Sequence, residues 1–260
     1  MKSNAPGQLL GFILQFPRAL YHLLRSGPGD CVCIEVLGDV ATLFKDGNVI
    51  SEEDKSSIVG NPLTEKSTDL WKTFYNWILA AQGGDLVVEK TRFVLYCNQS
   101  GKAGIVNRFS SAQNNKEAIV AIEHAKSVLH DVTNTHDIWK YYDFAANINA
   151  PLLLAIIERF ELQTGIGAGY DEIRHELLCK HVAKTQIDFL MEKIGGWMLR
   201  TVAESIAAKK PAIIKWESFD HEFKAVFERS RRRELYDFAL VSPPGVPEIN
   251  QQIKIQPCYL

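Results

Sequence analysis

The sequence predicts a mixed α/β fold, α+β in type with a mixed sheet, followed by a mostly helical C-terminal region. Three observations predict it. Cys31-Val32-Cys33-Ile34 is an apolar run of strand length. Val40-Ala41-Thr42-Leu43-Phe44 and Val49-Ile50 flank Lys45-Asp46-Gly47-Asn48, whose Asp-Gly pair marks a hairpin turn. Beyond Pro151 apolar residues recur at helical spacing, with breaks at residues 164–170, Gly195-Gly196 and Lys209-Lys210-Pro211. The division this suggests is a sheet-bearing domain over residues 1–145, a helical domain or cap over 146–240 and a linker or partner-docking tail over 241–260.

The elements follow in order. Leu9, Phe12, Ile13, Phe16, Leu20, Leu23 and Leu24 fall at helical spacing and predict a packed amphipathic helix. Gln8, Gln15, Pro17 and Arg18 interrupt the stretch too often for a signal peptide. No segment approaches the ~20 apolar residues of a membrane span. After the strand and hairpin, Ser67-Thr68-Asp69 supplies N-cap chemistry for a helix through Trp71, Phe74, Trp77 and Ile78, which Gln82-Gly83-Gly84 ends. The two tryptophans are six apart, so they do not form one stripe and read as core. Thr91-Arg92-Phe93-Val94-Leu95-Tyr96-Cys97 is a strong strand, expected beside the one carrying Glu53. Residues 115–130 read as a helix with Ala118, Ile119, Ala121, Ile122, Ala125, Val128 and Leu129 inward.

At 260 residues the chain has ample length for a core. Its net charge of −2 lacks the global basic signature of a nucleic-acid binder and argues against tight constitutive DNA binding by this chain alone. The five cysteines form no CxxC pair, which fits a reduced, cytoplasmic setting.

Candidate chemistry gathers at two acidic segments. Read as a strand continuation, Glu35-Val36-Leu37-Gly38-Asp39 places Glu35 and Asp39 on one face; Glu53 and Lys55 likewise share a face, with Asp54 turned away. The hairpin between them brings the segments together. Magnesium takes oxygen ligands and only one or two protein carboxylates, which Asp39 and Glu53 can supply. Such an ion activates water near neutral pH and offsets charge developing on phosphoryl oxygens. Lys55 can neutralise the same charge, and Glu35 can accept a proton or serve a second ion. The bland alternative is a solvated charge run at strand ends, because D-x(n)-E-x-K is a permissive pattern.

The arrangement resembles the PD-(D/E)XK nuclease superfamily, whose restriction-endonuclease-like core is the fold it implies. Gly11-Phe12-Ile13-Leu14-Gln15, then Ala19-Leu20 and Leu23-Leu24, is similar to the opening helix of the double-stranded DNA endonuclease domain of bacterial antiphage effectors. These include CBASS effectors that carry a SAVED sensor and Lamassu-type effector subunits. Glu53-Asp54-Lys55-Ser56-Ser57, Asn61-Pro62-Leu63, Leu70-Trp71-Lys72-Thr73-Phe74 and Asn76-Trp77 resemble one branch of that family. The resemblance covers residues 1–110. It implies Mg2+, with Mn2+ able to substitute, held by Asp39 and Glu53. Lys55 would organise the transition state, with Glu35 and Gln15 in support. It also implies double-stranded DNA as substrate in a bacterial cytoplasm, and activation by assembly with an SMC-like ATPase, a sensor subunit or further copies of the chain. Two departures stand out: Gly38 replaces a frequent second acid, and Glu53 replaces a frequent glutamine. The first leaves open whether one metal or two is bound. A non-catalytic nuclease-like subunit and an RNA nuclease are the alternatives.

Lys66, Lys72 and Lys102 are candidate DNA contacts, with Lys90 and Arg92 nearby in sequence. Gly165-Ile166-Gly167-Ala168-Gly169 looks like a phosphate-loop fragment, but it is expected to follow a helix and reads as a turn. His175 and Cys179 imitate a metal-binding helix spacing and read as ordinary surface. Arg229-Ser230-Arg231-Arg232-Arg233 is expected late in a helix, where it either complements the negative end or contacts phosphate.

Overall fold

The computed structural model describes residues 5–56, 62–99 and 104–239. Lys102 and the tail 241–260 lie outside the described residues. Helix α1 (Ala5–Arg25) leads into strands β1 (Cys31–Ile34), β2 (Val40–Leu43) and β3 (Val49–Lys55), an antiparallel meander. The Asp-Gly turn joins β2 to β3 as predicted, with Gly47 at φ 83°. Helix α2 (Thr68–Gly83) starts at Ser67, whose hydroxyl accepts from the Leu70 N–H, and stops at Gly84 in the left-handed conformation. It crosses over to β4 (Thr91–Cys97), which pairs parallel with β3. A helical connection is the ordinary route between parallel strands.

Helices α3 (Ile105–Ser111), α4 (Asn115–Val128), α5 (Trp139–Asp143) and α6 (Ala150–Ile157) carry the chain to β5 (Phe160–Thr164), parallel to β4. Then come α7 (Tyr170–Cys179), α8 (Ile187–Ala207), β6 (Ala212–Lys215) and α9 (Trp216–Ala239). The strands form one six-stranded mixed sheet in the order β5-β4-β3-β2-β1-β6. Residues 146–240, expected as a helical domain or cap, therefore supply two strands and complete the same sheet. Among the described residues no helix is long and apolar enough to cross a membrane.

Each sheet face has its own core. One joins Phe93, Leu95, Cys97 and Phe160 to α2–α6 and includes Trp71 and Trp77. The other joins Val32, Ile34, Val40 and Ile214 to α1, α7, α8 and α9. Four expectations are corrected. Leu9, Phe12 and Ile13 are exposed, so α1 packs only through its later residues, from Leu14 to Leu24. Ile119 is exposed because α4 buries only the stripe through Ala118, Ala121, Ile122 and Ala125. Helix α8 runs unbroken through Gly195-Gly196, since Leu190, Ile194, Met198 and Val202 bury its inner face on both sides of them. Likewise α9 continues to Ala239, so Arg229 and its neighbours sit within the helix rather than at its end.

Candidate active site

The Glu35–Asp39 segment is a loop, not a strand continuation. β1 ends at Ile34 opposite Val40, and the Glu35 N–H donates to the Asp39 carbonyl across 3.1 Å. Two backbone conformations make this turn: Glu35 has φ 56° and Gly38 φ 115°. A left-handed non-glycine residue costs about 1–2 kcal/mol. The buried Gln15 side chain of α1 holds the loop, donating from Nε2 to Glu35 Oε1 at 2.6 Å and to Asp39 Oδ1 at 3.2 Å. So the two acids do meet, through Gln15 rather than through strand alternation. Gly38 has no room for a side chain. A Cβ there would lie 2.9 Å from the Glu52 carbonyl oxygen and 3.2 Å from Ser51 Oγ, which excludes an acid at this position.

On β3 the period-two alternation holds. Ser51, Glu53 and Lys55 face α2, and Glu52 and Asp54 face α1. The Asp54 N–H donates to Asp39 Oδ2 at 2.7 Å, tying the loop to β3. Lys55 Nζ pairs with Glu53 Oε2 at 3.0 Å. The Trp77 indole donates to Ser51 Oγ at 3.1 Å, and that hydroxyl donates to the Leu37 carbonyl at 2.8 Å, which fixes the floor. The resulting cleft, about 480 Å³, is lined by Glu35, Asp39, Glu53 and Lys55 on one side. On the other side stand Asp69, Lys72 and Asn76 of α2, with Asp85 beyond it. Sequence analysis names Asp69 only for N-cap chemistry and Asn76 only within a family motif, and does not name Asp85. The signal was available, since 69, 72 and 76 share one helical face.

Burial pushes the Glu53 carboxyl up; Lys55 pulls it back, while the Asp39 and Glu35 charges add to the rise. Burial works against the Lys55 ammonium, but Glu53 and Asp39 outweigh it and hold its pKa above the ordinary lysine value. Lys55 is therefore a fixed positive charge rather than a base. Hard oxygen donors converging with mutual repulsion suit a divalent cation, and Asp39 and Glu53, with Glu35 beside them, could hold one. Among the described residues no three His, Cys, Asp or Glu side chains form a metal cage by themselves.

Of the predicted DNA contacts, Lys72 lines the cleft. Lys66 instead pairs with Asp131 at 2.5 Å, and Arg92 pairs with Glu161.

The α1 side of β3 holds a network that sequence reasoning missed. Arg18 grips Glu52 with both ends of its fork, Nε to Oε1 at 2.6 Å and Nη2 to Oε2 at 2.8 Å. His22 Nε2 lies 2.9 Å from Glu52 Oε2, Gln163 of β5 accepts from Arg18 at 2.9 Å, and the guanidinium stacks 3.9 Å from the Tyr96 ring centre. Burial raises the Glu52 carboxyl, yet His22 and Arg18 prevail and hold it well below its ordinary value. Neither Asp54 oxygen accepts a hydrogen bond, and the Glu52 carboxylate beside it can accept one only from the protonated acid. Burial and then the Glu52 and Asp39 charges drive Asp54 far up, with Arg18 opposing, which favours its protonated form.

No family model matches the chain, and no curated protein does. Similar solved structures include two bacterial receptors. One is the Cap4 SAVED/CARF-domain containing receptor of Moraxella osloensis, at 18% identity over 84% of this chain and 48% of that one, TM-score 0.46. The other is the Acinetobacter baumannii Cap4 SAVED/CARF-domain containing receptor, at 12% identity over 85% of this chain and 47% of that one, TM-score 0.42. The chain spans about half the length of each.

Two remaining motifs resolve to structure. The Gly165–Gly169 segment follows strand β5, not a helix, and opens α7. That helix start already carries Asp171 and Glu172, and Glu172 accepts from the Tyr96 hydroxyl at 2.9 Å, so an anion would be repelled there. His175 and Cys179 lie 3.5 Å apart on an exposed helix surface.

Proposed function

We propose that this chain is a magnesium-dependent DNA endonuclease of bacterial antiphage defence, with a basal activity that assembly with a partner raises. The observation that carries the reading is the cleft in which Gln15, Glu35, Asp39, Glu53 and Lys55 meet. Asp39 and Glu53 would hold the ion, which supplies activated water and charge neutralisation at the phosphoryl group. Gln15 orients Asp39, and the Asp54 N–H holds its second oxygen. Lys55 meets the charge that develops on the phosphoryl oxygens, a role its permanent ammonium suits. Lys72 and Asn76, across the cleft, would steady the substrate backbone. The antiphage setting and the choice of double-stranded DNA rest on the family resemblance of residues 1–110.

Incubation of supercoiled plasmid with the chain and Mg2+ tests this, with Asp39→Asn and Lys55→Met in parallel. Each substitution should cut the rate at least about 100-fold, and a structured RNA should remain intact. Equal cleavage by all three proteins would remove the assignment.

A second reading has its own support. The Glu53–Lys55 pair and the two bonds to Asp39 satisfy these side chains without a metal, as a non-catalytic, partner-binding subunit would require. Mn2+ titration separates the two: binding lost in Asp39→Asn supports the nuclease, and no binding in the wild type supports the subunit.

A further inference from the structure

Helix α8 is apolar on two sides. Its inner face buries Ile187, Leu190, Ile194, Met198 and Val202. Its outer face exposes Phe189 (52%), Leu199 (56%) and Ile206 (62%). A helix with apolar residues on both faces is ordinarily covered on both. The outer residues are not scattered. Positions 189, 196 and 203 form one series seven apart, and 192, 199 and 206 form a second offset by three, the spacing of a helix–helix seam.

Gly196 stands at the centre of that seam. A glycine inside a helix costs about 1 kcal/mol relative to alanine. A Cβ added at Gly196 meets nothing within 4 Å, so packing among the described residues does not call for the glycine. Close approach of another helix does.

We infer that the outer face of α8 pairs with α8 of a second copy of this chain, antiparallel, about a two-fold axis near Trp197 and Met198. In that register Phe189 meets Ile206 of the second copy, Leu199 seats over its Gly196, and Glu192 lies over its Ala203. Arg200 of the second copy then sits one turn from Glu192, and two-fold symmetry makes this ion pair twice. A parallel pairing would instead set Glu192 against its own copy, which like-charge repulsion disfavours. One helix pair buries less than the ~800 Å² per partner of a standard interface, so the dimer is reversible and concentration-dependent. This inference does not depend on the nuclease reading.

Sedimentation equilibrium of the 260-residue chain across the micromolar range tests it, with Leu199→Glu and Gly196→Gln alongside. The wild type should show a monomer–dimer equilibrium. Leu199→Glu should be monomeric throughout. Gly196→Gln should weaken association at least about tenfold, and at the same time raise the thermal midpoint of the monomer, because it removes a helix-interior glycine. A merely structural role for the glycine would not move the two readouts in opposite directions. A monomeric wild type overturns the inference, as does a Gly196→Gln protein that associates like wild type. So does a monomeric wild type whose thermal midpoint falls in Gly196→Gln, the result expected if another segment of the same chain covers this face.

Discussion

The two faces of β3 carry the same chemistry to different ends. Each has a carboxylate matched to a cation, Glu53 with Lys55 toward α2 and Glu52 with Arg18 toward α1. The cleft pair keeps side-chain exposures of 11% and 18%, whereas the α1-side pair is sealed at 0% and 1%. Arginine's planar fork satisfies both oxygens of a carboxylate at once, which a buried ion pair needs. Lysine offers a single ammonium that can serve its neighbour and still meet a phosphate. The difference teaches that adjacent acids in one short strand can have opposite tasks. Glu52 fastens α1, and with it Gln15, to the sheet; Glu53 stays available to the cleft.

Breaking the sealed pair is the severest test of this contrast. Arg18→Ala leaves the Glu52 charge buried with only His22 beside it, and such losses cost about 3–5 kcal/mol. Urea unfolding should show that drop, together with weaker Mn2+ binding because α1 no longer fixes Gln15. A loss no larger than that of a typical surface substitution, within roughly ±0.5 kcal/mol, would mean that the network fastens nothing.

Much of this was legible in sequence, and the remainder was not for identifiable reasons. The Asp-Gly hairpin and the alternation along Glu52–Lys55 follow from turn chemistry and a two-residue period, both local. The Arg18–Glu52 pair spans 34 residues, and although Gln15, Arg18 and His22 share one polar helical face, nothing local says which strand that face meets. The Glu35–Asp39 loop was misread because an apolar strand was extended past the residue where φ turns positive. Phe160-Glu161-Leu162-Gln163-Thr164 does alternate like a strand, but five residues after a helix gain sheet membership only from β4. Gly195-Gly196 predicted a break because the glycine penalty is local, while the burial that overrides it is tertiary.

Asp54 gives a second, intermediate test, and its sign is opposite to that of Glu52. The folded protein holds the Asp54 proton well above its ordinary pKa of 3.8, first through burial and then through the Glu52 and Asp39 charges. Below that ordinary value both folded and unfolded chains are protonated. As pH rises above it, the unfolded chain releases the proton and the folded chain keeps it, so stability falls until the raised value is passed. The slope is at most about 1.4 kcal/mol per pH unit. Asparagine has the shape of the protonated acid and never ionises, so Asp54→Asn should gain on wild type steadily as pH increases. The measurement is urea unfolding in chelator across roughly pH 4–8. Parallel profiles for the two proteins would show that Asp54 ionises as freely when folded as when unfolded.

The cleft face should answer most gently. Glu53→Gln removes a carboxyl that burial and the Asp39 and Glu35 charges already disfavour in its ionised form, and it deprives Lys55 of a partner. These changes oppose one another at a site reached by water, so stability in chelator should stay within about 1 kcal/mol of wild type. The larger consequence appears only with a divalent ion. A ligand that binds the folded state alone stabilises it by mass action, so Mg2+ should raise the wild-type thermal midpoint and leave Glu53→Gln unmoved. Thermal scans with Mg2+ and with chelator read both quantities on the same samples. Equal Mg2+ shifts in the two proteins would detach Glu53 from the ion. A loss in chelator comparable to that of Arg18→Ala would erase the division of labour between the two faces of β3.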